Sequence, residues 1–210
     1  MAPNDVRTHI LDTGLTLVAR KGFTAMGLSE LLSTAKVPKG SFYHWFASKE
    51  AFGEALLDRY FEGYLEGLEH LMGDPDCRAR DCLAEYWERW VISQDPSSCG
   101  NACVVVKLAG EVSDLSEAMR LALKRGTIEV ERRLGHLIAD AIAEGDVPAD
   151  LDPDTTAREL YALWLGASLQ AKIHRNADPL HLVYRFTCHR LGLYPTLPSD
   201  LPPSSSTCPG

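Results

Sequence analysis

The chain has 210 residues, of which 45% are hydrophobic and 24% charged, a composition typical of a globular protein. Its formal net charge of −8 at pH 7 excludes a protein with a general basic coat for nucleic acids. No apolar run approaches the roughly 20 residues that a membrane-spanning helix needs. The first residues lack the apolar core of a secretory signal. We therefore expect a cytoplasmic protein without a membrane partner.

Charge is distributed unevenly along the chain. Residues 1–50 contain six Lys and Arg residues against four Asp and Glu residues, whereas residues 51–210 contain 15 against 25. A slightly basic beginning on an acidic remainder suits a protein whose first part contacts DNA and whose second part does not.

The six cysteines do not have metal-binding spacing. No C-x-x-C pair occurs, and the histidines lie far from the cysteine pairs in the sequence. A cytoplasmic chain of this length seldom uses a disulfide framework. We therefore expect neither a metal nor a cofactor, and we interpret Cys77, Cys82 and Cys188 as packing residues.

Apolar residues recur at three- and four-residue spacing along nearly the whole chain, which predicts helices throughout. Asn4 is a candidate N-cap of the first helix, and Lys21 with Gly22 is a candidate stop. Pro38 suits the first position of a short helix, and Ser48 is a candidate N-cap of the next. The predicted helices span residues 6–20, 28–35, 39–46, a segment from Ser48 to about Met72, 77–94, 101–112, 115–144, 153–174 and 178–191.

Turn-forming residues separate these helices and no strand pattern appears, so the predicted fold class is all-α. We expect a three-helix N-terminal domain over residues 1–47 and a C-terminal helical bundle over residues 48–193. Residues 194–210 are rich in Pro and Ser and are expected to form a disordered tail. The sequence has no nucleophile elbow, phosphate-binding loop or metal motif, which argues against an enzyme.

The short helices at residues 28–35 and 39–46 are separated by a tight break, as in a helix-turn-helix. If the apolar side chains hold these helices together, the polar side chains of the second point outward, as in a helix that enters the DNA major groove. Such side chains can contact phosphates or base edges. A short surface helix with ordinary polar residues is the alternative. The candidate contacts are Lys39, Ser41, Tyr43, His44 and, at the start of the following helix, Lys49.

The stretch KGFTAMGLSELLSTAKVPKGSFYHWFASKEAF, residues 21–52, resembles the DNA-binding domain of the TetR family of bacterial repressors. The resemblance implies that three N-terminal helices bind operator DNA, and that the C-terminal helices bind an effector and form a homodimer. It carries the DNA contacts onto the five residues just named. Members commonly begin the second helix with Thr or Ser, whereas this chain has Gly27, so we expect Thr24 to supply a phosphate contact instead.

Two further stretches, residues 99–120 and 160–173, are similar to the NemR-type branch of that family, whose members respond to electrophiles and reactive chlorine through cysteine. The resemblance implies a sensor at Cys103 and an interacting lysine at Lys172. A nearby ammonium favours the reactive thiolate, and so does the start of a helix. Cys99 lies four residues from Cys103 and is a second group that can trap an oxidised sulfur, while Lys107 is a rival to Lys172. A buried, unreactive Cys103 is the alternative.

Tryptophans in the C-terminal part invite a second interpretation. Trp87, Trp90 and Trp164 are candidates for lining a pocket for a hydrophobic inducer, although we expect two of the three to be core residues. The predicted dimer interface includes Leu160, Trp164, Ala167 and Tyr184.

The resulting hypothesis is a homodimeric repressor that leaves its operator when a small electrophile or oxidant modifies Cys103, and that controls detoxification genes. One alternative keeps DNA binding but replaces the trigger with a non-covalent hydrophobic ligand. Others are an activator of the same architecture, and a helical enzyme or scaffold whose helix-turn-helix is only structural.

Overall fold

The computed structural model describes residues 3–73, 77–96 and 104–194, with side chains from residue 5 onward. Over these ranges the chain forms nine α-helices and no strand, which confirms the all-α prediction. The helices are α1 (Pro3–Lys21), α2 (Leu28–Ala35), α3 (Lys39–Trp45), α4 (Lys49–Met72), α5 (Ala79–Gln94), α6 (Val104–Val112), α7 (Glu117–Ala143), α8 (Pro153–His174) and α9 (Asp178–Leu191).

The predicted helix ends are mostly confirmed, because local backbone chemistry sets them. α1 stops where Gly22 adopts a φ of +88°, and Ser48 caps α4 by accepting a hydrogen bond from the Ala51 N–H at 3.1 Å. Two terminal residues are misassigned, and the predicted spans 6–20, 77–94 and 115–144 begin two or three residues from the observed starts. α1 begins at Pro3, so Asn4 lies inside the helix, and Pro38 is the N-cap of α3 and not its first residue.

The chain divides into two compact units. Unit 1 comprises residues 1–65 and 104–127, and unit 2 comprises residues 66–103 and 128–210. These units are discontinuous and do not coincide with the predicted domains, because α4 and α7 each contribute to both. Most of the predicted C-terminal tail lies outside the described residues.

Unit 1 holds the helix-turn-helix together with aromatic packing. The rings of Phe42, Phe46 and Phe52 pack with centroids 5.1–5.4 Å apart, and all three side chains are buried. His9 on α1 forms a hydrogen bond with the Ala35 carbonyl at 2.9 Å, at the end of α2. This core holds α3 by its apolar face, which leaves the opposite face to solvent.

Unit 2 is built on α5, α8 and α9 with the C-terminal parts of α4 and α7. Trp87 of α5 stacks on Trp164 of α8 with ring centroids 4.9 Å apart. Tyr184 of α9 donates a hydrogen bond to the Glu88 carboxylate at 3.0 Å. None of the helices in the described part of the chain has the length and apolar character needed to cross a bilayer.

Candidate nucleic-acid interface

The outer face of α3 presents most of the predicted DNA contacts. Lys39, Tyr43 and His44 are exposed, and Ser41 is half-buried. The Lys39 ammonium lies 5.7 Å from the centroid of the Tyr43 ring. Side chains free of the core are what a groove-binding helix requires.

The other two predicted contacts lie near the turn between α1 and α2. Thr24 is exposed, and its carbonyl accepts a hydrogen bond from Lys49 Nζ at 3.4 Å. The Lys49 ammonium also lies 5.0 Å from the centroid of the Phe23 ring. The structure therefore brings Thr24 and Lys49 together at one edge of the helix-turn-helix.

Two residues of α6 form hydrogen bonds with the end of α1 and with the turn between α1 and α2. We name these two residues the α6 clamp. The first is Lys107, whose ammonium donates to the carbonyls of Ala19 at 2.9 Å and Arg20 at 2.6 Å. These carbonyls belong to the last turn of α1, where the helix has no further backbone donors of its own and where its dipole favours a cation.

The second clamp residue is Glu111, whose carboxylate accepts hydrogen bonds from the backbone N–H groups of Phe23, at 3.0 Å, and Thr24. Partial burial raises the pKa of Glu111, but the hydrogen bond from the Thr24 side chain, those from the two N–H groups and the nearby Lys49 charge lower it by more, so the pKa lies below its ordinary value of 4.5. A Cβ on Gly22 would come within 2.8 Å of this carboxylate, so the close approach also requires glycine.

Sequence analysis missed the α6 clamp. Glu111 lies 88 residues from Phe23 in the chain, and Lys107 was considered only as a partner for a thiolate. The available signal was Gly22, the glycine after α1. A glycine at this position indicates that the helix ends there, but it does not indicate which side chain packs against the turn.

The predicted sensor region is described only in part. Cys99 and Cys103 lie outside the described residues. Lys172 is exposed on α8. Lys107 uses its ammonium on α1, as described above.

The three tryptophans predicted for a pocket are all core residues of unit 2. Trp87 and Trp164 are fully buried, and Trp90 is 6% exposed. Trp90 Nε1 donates to the Ser168 hydroxyl at 2.9 Å, and Trp164 Nε1 donates to the Thr187 hydroxyl at 3.0 Å. Trp87 Nε1 is buried and has no acceptor within the described ranges. The expectation that one of the three is not a core residue is therefore wrong.

The predicted dimer interface needs a similar correction. Leu160, Trp164 and Tyr184 are at most 2% exposed, and a side chain packed inside one protomer offers no surface to another. Ala167 is half-buried. The large apolar side chains that α8 and α9 do expose are Leu163, Leu169, Ile173, Leu182 and Phe186.

The cysteines predicted as packing residues differ from one another. Cys188 is buried as expected, and this burial raises the pKa of its thiol. Cys77 and Cys82, in contrast, are paired with each other, with Cα atoms 6.1 Å apart, which corrects their assignment as ordinary packing residues. The described residues contain no group of three or more His, Cys, Asp or Glu side chains that could hold a metal ion.

Comparison with known proteins places this architecture in a family. A model described as "Bacterial regulatory proteins, tetR family" matches residues 10–56, and one described as "Tetracyclin repressor-like, C-terminal domain" matches residues 79–187. The chain belongs to the TetR family. It is 44% identical over 177 residues to the HTH-type transcriptional repressor NemR of Escherichia coli, covering 84% of this chain and 89% of NemR. It is also 31% identical over 180 residues to the repressor DhaR of a Mycobacterium species, covering 86% and 89% of the two chains.

The structural comparison agrees with the sequence comparison. The crystal structure of the reduced form of E. coli NemR superposes with a TM-score of 0.84 at 41% identity, covering 92% of this chain and all of that one. The protein is therefore a NemR-like, DNA-binding transcriptional repressor of the TetR family, whose repressors bind operator DNA and act as dimers.

Proposed function

We propose that this protein is a cytoplasmic, homodimeric repressor that releases its operator when Cys103 is modified by an electrophile or an oxidant, and that it controls detoxification genes. The α6 clamp is the observation that carries the proposal. Cys103 directly precedes Val104, the first residue of α6, and α6 holds the α1–α2 turn of the DNA-binding unit through Lys107 and Glu111.

A change at Cys103 is thus made one residue in sequence from the helix that holds the α1–α2 turn of unit 1. Release requires only that the modified form bind DNA less tightly than the reduced form. A modification shifts the population between DNA-bound and free protein by the difference in DNA-binding free energy between the two forms. A shift of α6 would change four hydrogen bonds at once: those of Lys107 to two carbonyls of α1 and those of Glu111 to two N–H groups of the turn. These bonds give the difference in DNA affinity a structural origin.

The proposed thiol chemistry uses Cys103 and Lys172, which the resemblance to the NemR-type branch implies, together with Cys99. The Cys103 thiolate attacks the chlorine of hypochlorous acid, hydroxide leaves, and a sulfenyl chloride forms. The neutral amine of Lys172 or the thiol of Cys99 then attacks the sulfur, chloride leaves, and the nucleophile loses a proton. Two electrons pass from sulfur to chlorine, and the product is a reducible S–N or S–S bond. With an unsaturated carbonyl, the thiolate adds to the β-carbon.

For DNA binding, we propose contacts from Thr24, Lys39, Ser41, Tyr43, His44 and Lys49. The exposed face of α3 supplies the side chains for the major groove, and the edge formed by Thr24 and Lys49 suits a phosphate. Two such helices bind a palindromic operator when their separation is about one DNA turn, roughly 34 Å.

For dimerisation, we propose the face of α8 and α9 that carries the exposed apolar residues. Leu163, Leu169 and Ile173 recur along one side of α8, and Leu182 and Phe186 recur along one side of α9. Exposed apolar side chains in this number are typical of an interface between chains. Gly166 lies on α8, and among the described residues no atom of another element lies within 4 Å of its Cβ position, so it permits close approach of a second helix.

Operator release tests the proposal. The full-length protein and Cys103→Ser are compared by mobility shift on the DNA upstream of the gene, with and without hypochlorous acid or a quinone, and again after dithiothreitol. We expect wild type to release DNA and Cys103→Ser to hold it. Cys188→Ser is the matched control, because Cys188 is buried in unit 2 and should leave the response unchanged. Equal release by wild type and Cys103→Ser contradicts the cysteine mechanism.

A second candidate function rests on Trp87. Its buried Nε1 has no acceptor within the described ranges, and a buried donor without a partner costs about 1–3 kcal/mol. A hydrophobic inducer with one acceptor atom would satisfy it. In that case Cys103→Ser remains inducible, and Trp87→Phe loses affinity for the inducer while it still binds DNA.

A further inference from the structure

Cys77 and Cys82 lie on either side of the start of α5. Arg78 is the N-cap of that helix and Ala79 is its first residue. The Cα atoms of the two cysteines are 6.1 Å apart, within the 4.4–6.8 Å found for disulfide-linked residues. The backbone therefore already has the separation that a disulfide needs.

The two thiols have different surroundings. Cys82 is 1% exposed, and its sulfur lies 3.3 Å from the Leu71 carbonyl oxygen and 3.7 Å from that of Cys77. In the dithiol state these carbonyl oxygens are the acceptors for the Cys82 S–H. Cys77 is half-buried, and its sulfur lies 3.7 Å from the Arg78 carbonyl oxygen in an exposed contact. Cys77 is therefore the thiol that an outside reagent reaches first.

A cavity of about 330 Å³ gives access to this pair. Both cysteines line it, together with the carboxylates of Asp140 and Glu144. The exposed Arg78 guanidinium is 3.6 Å from Glu144 and 2.8 Å from Asp146, so its charge is shared between two carboxylates. The acidic lining disfavours anionic reagents and leaves access to small neutral ones.

We propose that Cys77 and Cys82 form a reversible dithiol–disulfide couple, a second oxidation site that reacts with small neutral two-electron oxidants. The couple uses neither Cys103 nor Cys99, and it does not depend on the proposed function. The two cysteines lie close together because they flank the start of α5, and no other cysteine takes part.

The reaction balances with hydrogen peroxide as the oxidant. The Cys77 thiolate attacks one oxygen, the O–O bond breaks, and hydroxide leaves, which produces a sulfenic acid at Cys77. The Cys82 thiol then attacks the Cys77 sulfur, the S–O bond breaks, and the oxygen leaves as water with the remaining protons. Two thiols and one peroxide become one disulfide and two waters, with two electrons passing from sulfur to oxygen.

The chain offers a direct test, because trypsin separates the two cysteines. Cleavage after Arg residues places Cys77 in peptide 60–78 and Cys82 in peptide 81–89. Full-length Cys103→Ser is reduced, freed of reductant, treated with equimolar hydrogen peroxide, blocked with N-ethylmaleimide and digested. We expect the two peptides to be linked, and the linked species to fall about tenfold or more when dithiothreitol is added before blocking. Use of Cys103→Ser keeps this result independent of the proposed sensor.

Two variants make the outcome specific. Cys77→Ser is the main one, because Cys77 is half-buried, and it should abolish the linked peptides and leave Cys82 slow to react with N-ethylmaleimide. Cys188→Ser is the control and should leave the link intact. The proposal is overturned if peroxide links either cysteine to a different partner, if it drives Cys77 to a sulfinic acid without any link, or if dithiothreitol fails to remove the link from the folded protein.

Discussion

Glu111 offers the most direct test of how the α1–α2 turn is held within unit 1. Its carboxylate is the acceptor for two backbone N–H groups at the α1–α2 turn, those of Phe23 and Thr24. The Glu111→Ala substitution removes this acceptor and leaves two donors without it. The Phe23 side chain is buried, so water replaces the lost acceptor only in part.

The magnitude follows from the two bonds. A hydrogen bond to a charged group contributes about 1.5–3 kcal/mol, and the contact to Thr24 is exposed and contributes less. We expect Glu111→Ala to lower the free energy of unfolding by about 2 kcal/mol, which corresponds to a fall in Tm of about 4–8 °C for a chain of this size.

Thermal unfolding followed by circular dichroism measures the effect. Glu62→Ala is the matched control, because Glu62 is a 61% exposed carboxylate of α4 whose contact is an i, i+3 ion pair with Arg59. Such a surface pair contributes little. If Glu111→Ala lowers Tm no further than Glu62→Ala does, the α6 clamp does not hold the turn.

The pH dependence of the free energy of unfolding independently tests whether the ionised Glu111 carboxylate stabilises the fold. Because the pKa of Glu111 is lowered in the folded state, its contribution is fully present above the ordinary pKa of 4.5 and is lost as pH falls through the lower folded value. The difference in unfolding free energy between wild type and Glu111→Gln should be largest near neutral pH and should shrink below pH 4.5. A difference that grows in acid contradicts the assigned hydrogen bonds.

Three further predictions test the interface, a helix cap and the core. Lys39→Ala should weaken operator binding and reduce the slope of log affinity against log salt by about one, because one phosphate contact is lost; mobility shifts at several salt concentrations measure the slope, and an unchanged slope rejects that contact. Ser48→Ala should cost about 1 kcal/mol of unfolding free energy in a urea titration, since it removes the acceptor for the Ala51 N–H at the start of α4, whereas Ser48→Asp should restore most of it. Ser168→Ala should cost about 1–3 kcal/mol because it leaves the buried Trp90 Nε1 without its acceptor, and an unfolding midpoint equal to that of wild type argues against this bond.

The helices of this protein were largely predictable because their causes are local. Ser48 and Gly22 mark ends through backbone groups within a few residues, and apolar spacing marks the faces between them. The break between α2 and α3 was predictable for the same reason. The misplaced helix starts are errors of one to three residues between neighbouring positions that are each compatible with a helix terminus.

The candidate site was predictable where a side chain had only to be outside the core. Phe42 and Phe46 face the core of unit 1, so polar residues on the opposite face of α3 are exposed however the rest of the chain packs. Lys39 and His44 were therefore placed correctly on the surface. Helical spacing does not distinguish a pocket or an interface from a core, because all three are apolar. Trp164 was therefore assigned to a pocket and to an interface, and its indole is in fact stacked inside unit 2.

Contacts between distant segments required the folded chain. Glu111 meets Phe23 across 88 residues, and no periodicity within either segment encodes that meeting. The approach of Cys77 to Cys82 depends on where the segment before α5 turns, although only five positions separate them. Local backbone preferences act within about one helical turn, so adjacent residues in the sequence determine them. The contacts between distant segments arise from the packing of several helices at once, because this packing determines which side chains meet and which of them water can reach.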